Sequence, residues 1–322
     1  MKYKRKLMGV AALLIIIFHF WMPLTTSVVE ASIYKCTYLG VDIFFLLSAY
    51  SLARREELIY GQFIRNRFKN VYLPYVVMAI ICAVYKKWSI AQFLRVVSGI
   101  EFLNKGGGAF LWFAVAIMLL YIVAPGLLRL KSRFGWRAGV ISLVAWLIIV
   151  SVLQVGFSYT TIFILLNRIP IFIVGLYYEE IKKLIYALKK WSMPLILAGL
   201  VVGSVIVYMY CGNVRISRPI VDIYYVFVIP FTLSLVLLCD YISQQKTISK
   251  KGILDFIGSF TLELYGLQMI FGYPLETKLF RVIKGIVSLN LAKLLTFILT
   301  ACALIILAWL FSKLMKRLED MI

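Results

Sequence analysis

Long apolar segments dominate this chain. Hydrophobic stretches of about 20 residues recur from one end of the 322-residue sequence to the other, and this is the length of helix that crosses the hydrocarbon core of a bilayer. Hydrophobic residues make up 63% of the sequence, and the mean hydropathy is +0.94. A soluble domain needs a polar exterior that this composition cannot supply. The sequence therefore predicts an all-α, polytopic transmembrane helical bundle.

We expect about ten transmembrane helices in a single membrane domain over residues 1–322. Ten spans of about 20 residues use roughly 200 positions, and the remaining residues suffice for loops and termini but not for a separate soluble domain. The predicted spans are residues 7–29, 36–53, 71–85, 109–128, 138–155, 159–178, 192–211, 221–241, 253–273 and 291–311.

The basic excess of the sequence indicates how the chain is oriented. There are 35 Lys and Arg residues against 14 Asp and Glu residues, which in a soluble protein would suggest a nucleic-acid partner. If the amino terminus is cytoplasmic, the cytoplasmic segments hold 23 basic residues and the outer segments hold 10, as the positive-inside rule predicts. We therefore expect a multi-pass cell-membrane protein, surrounded by membrane lipids, with both termini cytoplasmic and no nucleic-acid partner.

A cleaved signal peptide is the competing interpretation of the amino terminus. The sequence Val29-Glu30-Ala31 resembles a cleavage site. The apolar stretch before it is long for a signal peptide and contains His19 and Trp21. We favour a retained first span.

His19 is the sole histidine of the sequence, and it lies inside the predicted first span. It is about twelve residues into that span, roughly 18 Å along the helix axis. A neutral imidazole can accept or donate a proton near pH 7, as general-base catalysis requires. A histidine that is hydrogen-bonded between helices is the structural alternative. The five cysteines form no CxxC motif or Cys/His cluster, so we expect neither a metal site nor a disulfide framework.

Two further ionisable residues lie in predicted spans, where a charge is costly unless it is paired or faces water. Asp42 is near the start of the second span, where its carboxylate could orient an imidazolium or interact with the helix dipole. Arg168 precedes Pro170 in the sixth span. An arginine at that depth needs a partner or a water-filled cavity, and we expect a cavity.

The loop predicted after the second span carries a compact cationic patch formed by Arg65, Arg67 and Lys69. Such a patch could hold the phosphates of a cytosolic donor by bidentate contacts. Lipid headgroups and membrane topology are the alternative explanations, and charge alone does not choose among them.

Four other residues are candidates for substrate binding. Glu263, Tyr265 and Gln268 place polar groups in the ninth span, and the five-residue separation of Glu263 and Gln268 predicts that at most one of them faces the same cavity. Trp112 begins the fourth span, as an interfacial anchor or a packing residue. The glycines at 106–108 before it lack the Lys-Ser/Thr of a phosphate-binding loop and indicate a flexible loop.

The order of these motifs resembles the membrane-bound acyltransferase-3 family of integral-membrane O-acyltransferases. The likeness rests on the first-span histidine, on Gly-Val-Asp-Ile-Phe-Phe-Leu-Leu-Ser at 40–48 and on Arg-x-Arg-Phe with Pro-Tyr at 65–75. It continues through Leu-Trp-Phe at 111–113, Arg-Ile-Pro-Ile-Phe at 168–172 and Leu-Glu-Leu-Tyr at 262–265, and it covers most of the chain.

The resemblance implies about ten transmembrane helices, a cytosolic acyl-CoA donor, usually acetyl-CoA, and a sugar hydroxyl as acceptor. It assigns the essential role to His19, and donor-binding or structural roles to Asp42, Arg65, Arg67 and Arg168.

The sequence departs from the family pattern at two positions. The family commonly has an arginine eleven residues before the histidine, where this chain has Met8. The nearest basic residues are Arg5 and Lys6, so either the shifted Arg5 serves in donor binding or donor binding is altered. Gln268 stands where the family often has a second histidine.

We therefore expect an O-acyltransferase that moves an acetyl group from acetyl-CoA to a cell-surface polysaccharide or a lipid-linked glycan precursor. His19 is the candidate general base or transient acyl carrier, and Asp42 is expected to orient it. Arg168 is the candidate for stabilising negative charge on the thioester oxygen. The rival class is a glycan or lipid transporter or flippase with an intramembrane proton relay, although the sequence shows no inverted repeat. A non-catalytic partner of a glycan synthase is the third possibility.

Overall fold

The computed structural model describes residues 3–54, 60–156, 161–211, 229–245 and 252–321. Regular secondary structure within these ranges is helical, as the composition predicts. The α-helices are α1 (Lys4–Phe20), α2 (Val28–Cys36), α3 (Gly40–Ala53), α4 (Tyr60–Arg67), α5 (Leu73–Lys86), α6 (Ile90–Val97), α7 (Ile100–Lys105), α8 (Trp112–Phe134), α9 (Trp136–Gly156), α10 (Phe163–Leu166), α11 (Ile169–Leu176), α12 (Tyr178–Ala187), α13 (Ser192–Cys211), α14 (Ile229–Gln245), α15 (Ile253–Ile257), α16 (Thr261–Leu267), α17 (Tyr273–Ile283) and α18 (Leu289–Met321).

Six helical stretches in the described part of the chain are long and apolar enough to cross a membrane. They are Val28–Ala53, Tyr60–Lys86, Trp112–Phe134, Trp136–Leu153, Lys189–Met209 and Leu289–Leu318. Two shorter apolar stretches, Phe163–Leu176 and Ile229–Ile242, accompany them. These stretches support a polytopic membrane protein. A total of about ten spans and the cytoplasmic location of the termini stay predictions.

The predicted first span, residues 7–29, is wrong at its carboxyl end. Helix α1 ends at Phe20, and Trp21 has an extended backbone with φ −73° and ψ 117°. Pro23 follows, and a proline disfavours a helical conformation of the residue before it. Ser27 then caps α2 by accepting a hydrogen bond from the Glu30 backbone amide. His19 therefore lies in the last turn of α1 and not in the middle of a span.

The residues around Arg65 and Arg67 form a helix and not the predicted loop. Helix α4 passes through a π-helical turn, Phe68–Tyr72, into α5, so the helical stretch begins at Tyr60. A second π turn, Gln268–Gly272, joins α16 to α17 in the same way. In both cases a proline, Pro74 or Pro274, is the second residue after the π turn. A proline ring clashes with the carbonyl four residues earlier in an α-helix, and a wider turn removes that clash.

The predicted sixth span, residues 159–178, is broken. Helices α10 and α11 are separated by a turn at Asn167 and Arg168. The predicted seventh span, 192–211, coincides with α13. In the predicted eighth span, 221–241, residues 221–228 lie outside the described residues.

Helix α3 is the central element of the bundle. It packs against α1, α8, α11 and α14, and most of its side chains are buried. The approach to α11 is very close at Gly175, where a Cβ atom would lie 2.5 Å from the Leu46 carbonyl oxygen. Only a glycine allows this approach, which lies near the carboxyl end of α11 and packs that helix against α3.

Polar contacts at the start of α12 tie several helices together. The Tyr50 hydroxyl donates a 2.9 Å hydrogen bond to Glu179, and Lys131 lies 2.7 Å from Glu180. Lys182 pairs with the buried Asp240 of α14. These contacts connect α3, α8, α12 and α14 at one end of the bundle.

Candidate active site

A cavity of about 480 Å³ runs lengthwise between α1, α3 and α8. Its lining follows α1 from Lys4 to His19, α3 from Val41 to Ser51 and α8 from Trp112 to Tyr121. The distance from Lys4 to His19 is 15 residues of helix, or about 22 Å. We call Lys4, Met8, Ser51, Arg67 and Asn70 the basic end of the cavity. Phe18, His19, Tyr38, Gly107 and Trp112 form the histidine end.

His19 lines the histidine end with a partly exposed imidazole ring. The ring meets Phe18 edge-on, with centroids 5.4 Å apart, and lies 6.1 Å from the Phe20 ring. It makes no hydrogen bond to any described residue, so the described residues do not form the inter-helix hydrogen bond considered above. The imidazole therefore lines the cavity without a polar contact to any described residue.

Glu30 fixes the loop that follows His19. Its carboxylate accepts hydrogen bonds from the Trp21 indole at 3.1 Å, the Leu24 amide at 2.7 Å and the Thr25 amide at 2.6 Å. The Ser-x-x-Glu pattern of a helix start, Ser27 to Glu30, was the available sequence signal for this loop. These hydrogen bonds therefore fix the path of the chain from His19 to the start of α2.

Arg67 lines the basic end, whereas Arg65 and Arg5 are exposed and do not line the cavity. The Arg67 guanidinium carbon lies 4.6 Å from the Tyr121 ring centroid and 5.3 Å from that of Phe63. Its Nε is buried and has no hydrogen-bond partner among the described residues. Residues two positions apart on a helix face different directions, so α4 turns only one of the two predicted arginines toward the cavity.

Asp42 and Arg168 form a buried ion pair outside the cavity lining. Their exposed fractions are 1% and 0%, and Arg168 Nη1 lies 3.1 Å from Asp42 Oδ1. The break between α10 and α11 places Arg168 here. Arg168 thus faces a charged partner and not the expected cavity, and Asp42 points to the arginine and away from the cavity lining.

Of the four remaining predicted residues, two line the cavity and two do not. Trp112 lines the histidine end, and Tyr265 lines the cavity together with Thr261. Glu263 and Gln268 do not line it, and Gln268 is buried at the start of the second π turn.

Several lining residues were not predicted from the sequence. They are Lys4, Tyr38, Ser48, Ser51, Asn70, Tyr121 and Thr261. Their common sequence signal is a polar or aromatic group on one face of a helix, which is weak in a chain with 20 tyrosines. Met8 also lines the cavity, so the position at which the resemblance predicts an arginine does face the site.

Comparison with known proteins identifies the chain at the level of a family. The model of the acyltransferase-3 family, described as an acyltransferase domain, matches residues 7–313, which is nearly the whole chain. No curated protein and no solved structure matches it.

Proposed function

The chain belongs to the acyltransferase-3 family, and we propose that it is an integral-membrane O-acetyltransferase. The proposed donor is cytosolic acetyl-CoA. The proposed acceptor is a hydroxyl group of a cell-surface polysaccharide or of its lipid-linked precursor. Family membership supports a membrane acyltransferase in general, and the cavity supports the finer proposal.

One observation carries the proposal: a single cavity contains both the sole histidine and a cationic end. General-base catalysis needs an imidazole that substrates can reach. Phosphate binding needs cationic donors at a distance from the reacting centre. The roughly 22 Å between Lys4 and His19 suits a donor that carries its thioester at the end of a long arm.

The basic end fits the phosphates of such a donor. The buried Nε of Arg67 lacks a hydrogen-bond partner among the described residues, and an unsatisfied buried donor is costly unless a ligand completes it. Lys4 adds a second cation to the lining. Arg65 and Arg5 lie outside it, where they would act through long-range attraction of the anionic donor.

At the histidine end, His19 would take the proton from the acceptor hydroxyl as the oxygen attacks the thioester carbonyl. The carbon–sulfur bond then breaks, the imidazolium returns its proton to the leaving thiolate, and an ester and free CoA thiol result. Alternatively, an imidazole nitrogen would attack the thioester carbonyl and expel the CoA thiolate, which takes the proton of the ring. The acceptor oxygen would then take the acetyl group from the imidazole, and the hydroxyl proton would return to the ring. Both routes conserve atoms and protons and need no metal.

Trp112 and Tyr265 are the proposed acceptor contacts. Both rings line the cavity, and aromatic side chains combine a large apolar surface with a polar handle. They would pack against the apolar face of a sugar ring while its hydroxyl faces His19.

The test uses inside-out membrane vesicles that contain the protein and receive radiolabelled acetyl-CoA. We expect release of CoA thiol and labelling of the glycan fraction. His19→Ala should lower both by a factor of about 10² to 10⁴, the usual contribution of a general base. Gln92→Ala, a change on α6 away from the cavity, serves as the matched control.

Retained transfer in folded His19→Ala protein would contradict the proposed mechanism. Movement of a glycan lipid across the vesicle membrane without CoA release would indicate the transporter class. Absence of both activities in wild-type vesicles would favour a non-catalytic partner of a glycan synthase.

A further inference from the structure

We infer that Tyr38 is a positioning residue for His19, and that the buried Asp42–Arg168 pair acts on the site through Tyr38. This inference rests on the proposed role of His19 and deepens it. It concerns a tyrosine whose ring contacts Phe18, the aromatic residue next to the histidine.

Phe18 is the link between Tyr38 and His19. The Phe18 ring meets the Tyr38 ring at a centroid distance of 5.0 Å and an angle of 67°, and it meets the His19 ring at 5.4 Å and 77°. Tyr34 stacks on Phe18 at 5.5 Å and 10°. The Phe18 ring is thus bounded by two tyrosines and by the imidazole.

The position of His19 in the chain makes this support necessary. The last turn of a helix has carbonyl groups without intrahelical partners and tends to fray. In α1 the Tyr34 hydroxyl satisfies the Phe18 carbonyl with a 2.8 Å hydrogen bond. Backbone and ring contacts from Tyr34 and Tyr38 therefore hold the turn that carries His19.

Tyr38 is in turn held by the buried ion pair. The Arg168 guanidinium carbon lies 4.9 Å from the Tyr38 ring centroid, and Arg168 pairs with Asp42 at 3.1 Å. Asp42 is one helical turn beyond Tyr38 on the same helical stretch. The row of contacts runs from Asp42 through Arg168, Tyr38 and Phe18 to His19.

This arrangement gives Asp42 and Arg168 a role without contact to substrate. A general base must hold its ring within a narrow range of geometry, and displacement by about 1 Å can cost a hundredfold in rate. Since Tyr38 lines the histidine end, its ring also limits the space into which Phe18 and the imidazole could move.

The variants separate the ring of Tyr38 from its hydroxyl. Tyr38→Leu removes the aromatic contacts to Phe18 and Arg168, whereas Tyr38→Phe keeps them. Tyr241→Leu is the matched control, because Tyr241 also makes an edge-on ring contact, 6.0 Å from Tyr186, but does not line the cavity. If Tyr38→Leu does not fold, Tyr38→Met replaces it, because methionine has a volume similar to that of leucine.

The first measurement is the motion of the imidazole by nuclear magnetic relaxation on histidine-labelled protein. His19 is the sole histidine, so one ring signal reports the site. We expect greater ring mobility in Tyr38→Leu, and wild-type mobility in Tyr38→Phe and Tyr241→Leu. Unchanged mobility in folded Tyr38→Leu protein would overturn the inference.

The second measurement is CoA release in vesicles. We expect kcat of Tyr38→Leu to fall on the order of tenfold to a hundredfold while KM for acetyl-CoA stays constant, because the basic end is unchanged. A raised KM with normal kcat would overturn the positioning role. If wild-type protein releases no CoA, the proposed function fails, and the relaxation measurement still decides the inference.

Discussion

Arg65 and Arg67 carry the same charge in different surroundings. Arg67 lies against Tyr121 and Phe63 at the basic end of the cavity, and Arg65 is exposed outside it. A phosphate that enters the cavity can form charge-assisted hydrogen bonds with the first and only a screened attraction with the second. Under the proposed function, Arg67 would bind the donor, whereas Arg65 would only attract anions to this surface.

Arg67→Ala should raise KM for acetyl-CoA by roughly tenfold to a hundredfold, because a hydrogen bond to a charged group contributes about 1.5–3 kcal/mol. Arg65→Ala should change KM much less, and that change should vanish at high salt. Initial rates of CoA release over a range of acetyl-CoA concentrations measure both effects. Equal increases of KM in the two variants would contradict the assignment of Arg67 to the cavity.

The Asp42–Arg168 pair should be sensitive to the loss of one partner. Asp42→Asn leaves a buried charge uncompensated, and we expect it to lower the free energy of unfolding by about 3–5 kcal/mol. The double replacement Asp42→Leu with Arg168→Met should recover much of that loss while activity stays low. Thermal unfolding in detergent, with protein recovered from membranes, measures the stability.

Glu180→Gln is the control for this experiment, because it removes a carboxylate from the half-exposed pair with Lys131. It should change the free energy of unfolding by less than about 1 kcal/mol. If Asp42→Asn and Glu180→Gln lowered the free energy of unfolding by similar amounts, the buried pair would stabilise the fold no more than the half-exposed pair does.

The ionisable residues of the apolar segments could be identified from the sequence, but the residues that they contact could not. His19 was conspicuous because an ionisable group in an apolar segment is costly, and Asp42 and Arg168 were conspicuous for the same reason. That the latter two form an ion pair follows from the packing of α3 against α11 and from no local pattern. Tyr38 was missed, because nothing in the sequence distinguishes one tyrosine at a helix start from the others.

At the scale of helices, the π turn at Phe68–Tyr72 explains why the predicted start of the third span at residue 71 is wrong. Pro74 predicts a helix start, since proline fits the first turn of a helix. The π turn at Phe68–Tyr72 instead lets the helix continue through the proline. Arg67 is thereby placed on a rigid element, directly before a π turn that contributes Asn70 and Val71 to the cavity. Such turns frequently occur at functional sites.

The contact between α3 and α11 gives a prediction about packing. Gly175→Ala should destabilise the protein by about 1–3 kcal/mol, because the added methyl group meets backbone that cannot move aside. Since this contact brings Arg168 to Asp42, the variant should also lower the rate of CoA release. Unfolding and activity measurements on the same preparation check both outcomes.

Gly126→Ala is the matched control for Gly175→Ala. Gly126 lies within α8 and has no atom within 4 Å of a Cβ position. Replacement there should stabilise the protein slightly, by up to about 1 kcal/mol, through higher helix propensity. Destabilisation of the same size in both variants would mean that the close approach at Gly175 does not matter.

For the molecule as a whole, composition was sufficient to predict a helical membrane protein but not its number of spans. Helices α10 and α11 are short and apolar throughout. A hydropathy profile therefore predicts one continuous span for the two of them. Their break coincides with Pro170, the second residue of α11, and with the contact between Arg168 and Asp42, and a hydropathy window records neither.

The orientation prediction can be tested on intact cells. Epitope tags at either terminus should be inaccessible from outside and become accessible after permeabilisation, because basic residues are retained on the cytoplasmic side. A tag in the 106–108 glycine segment should be accessible from outside without permeabilisation. Surface labelling of a terminal tag on unpermeabilised cells would contradict the orientation and the delivery of a cytosolic donor to the basic end.

In the proposed mechanism, a donor bound at the basic end reaches His19 through one cavity. Histidine modification by diethyl pyrocarbonate tests it without knowledge of the acceptor, because the sole histidine is the only imidazole that can react. The rate of His19 modification, followed by mass spectrometry, should fall when CoA is added to wild-type protein, and should fall much less in Arg67→Ala. Modification of His19 at the same rate with and without saturating CoA would contradict the account.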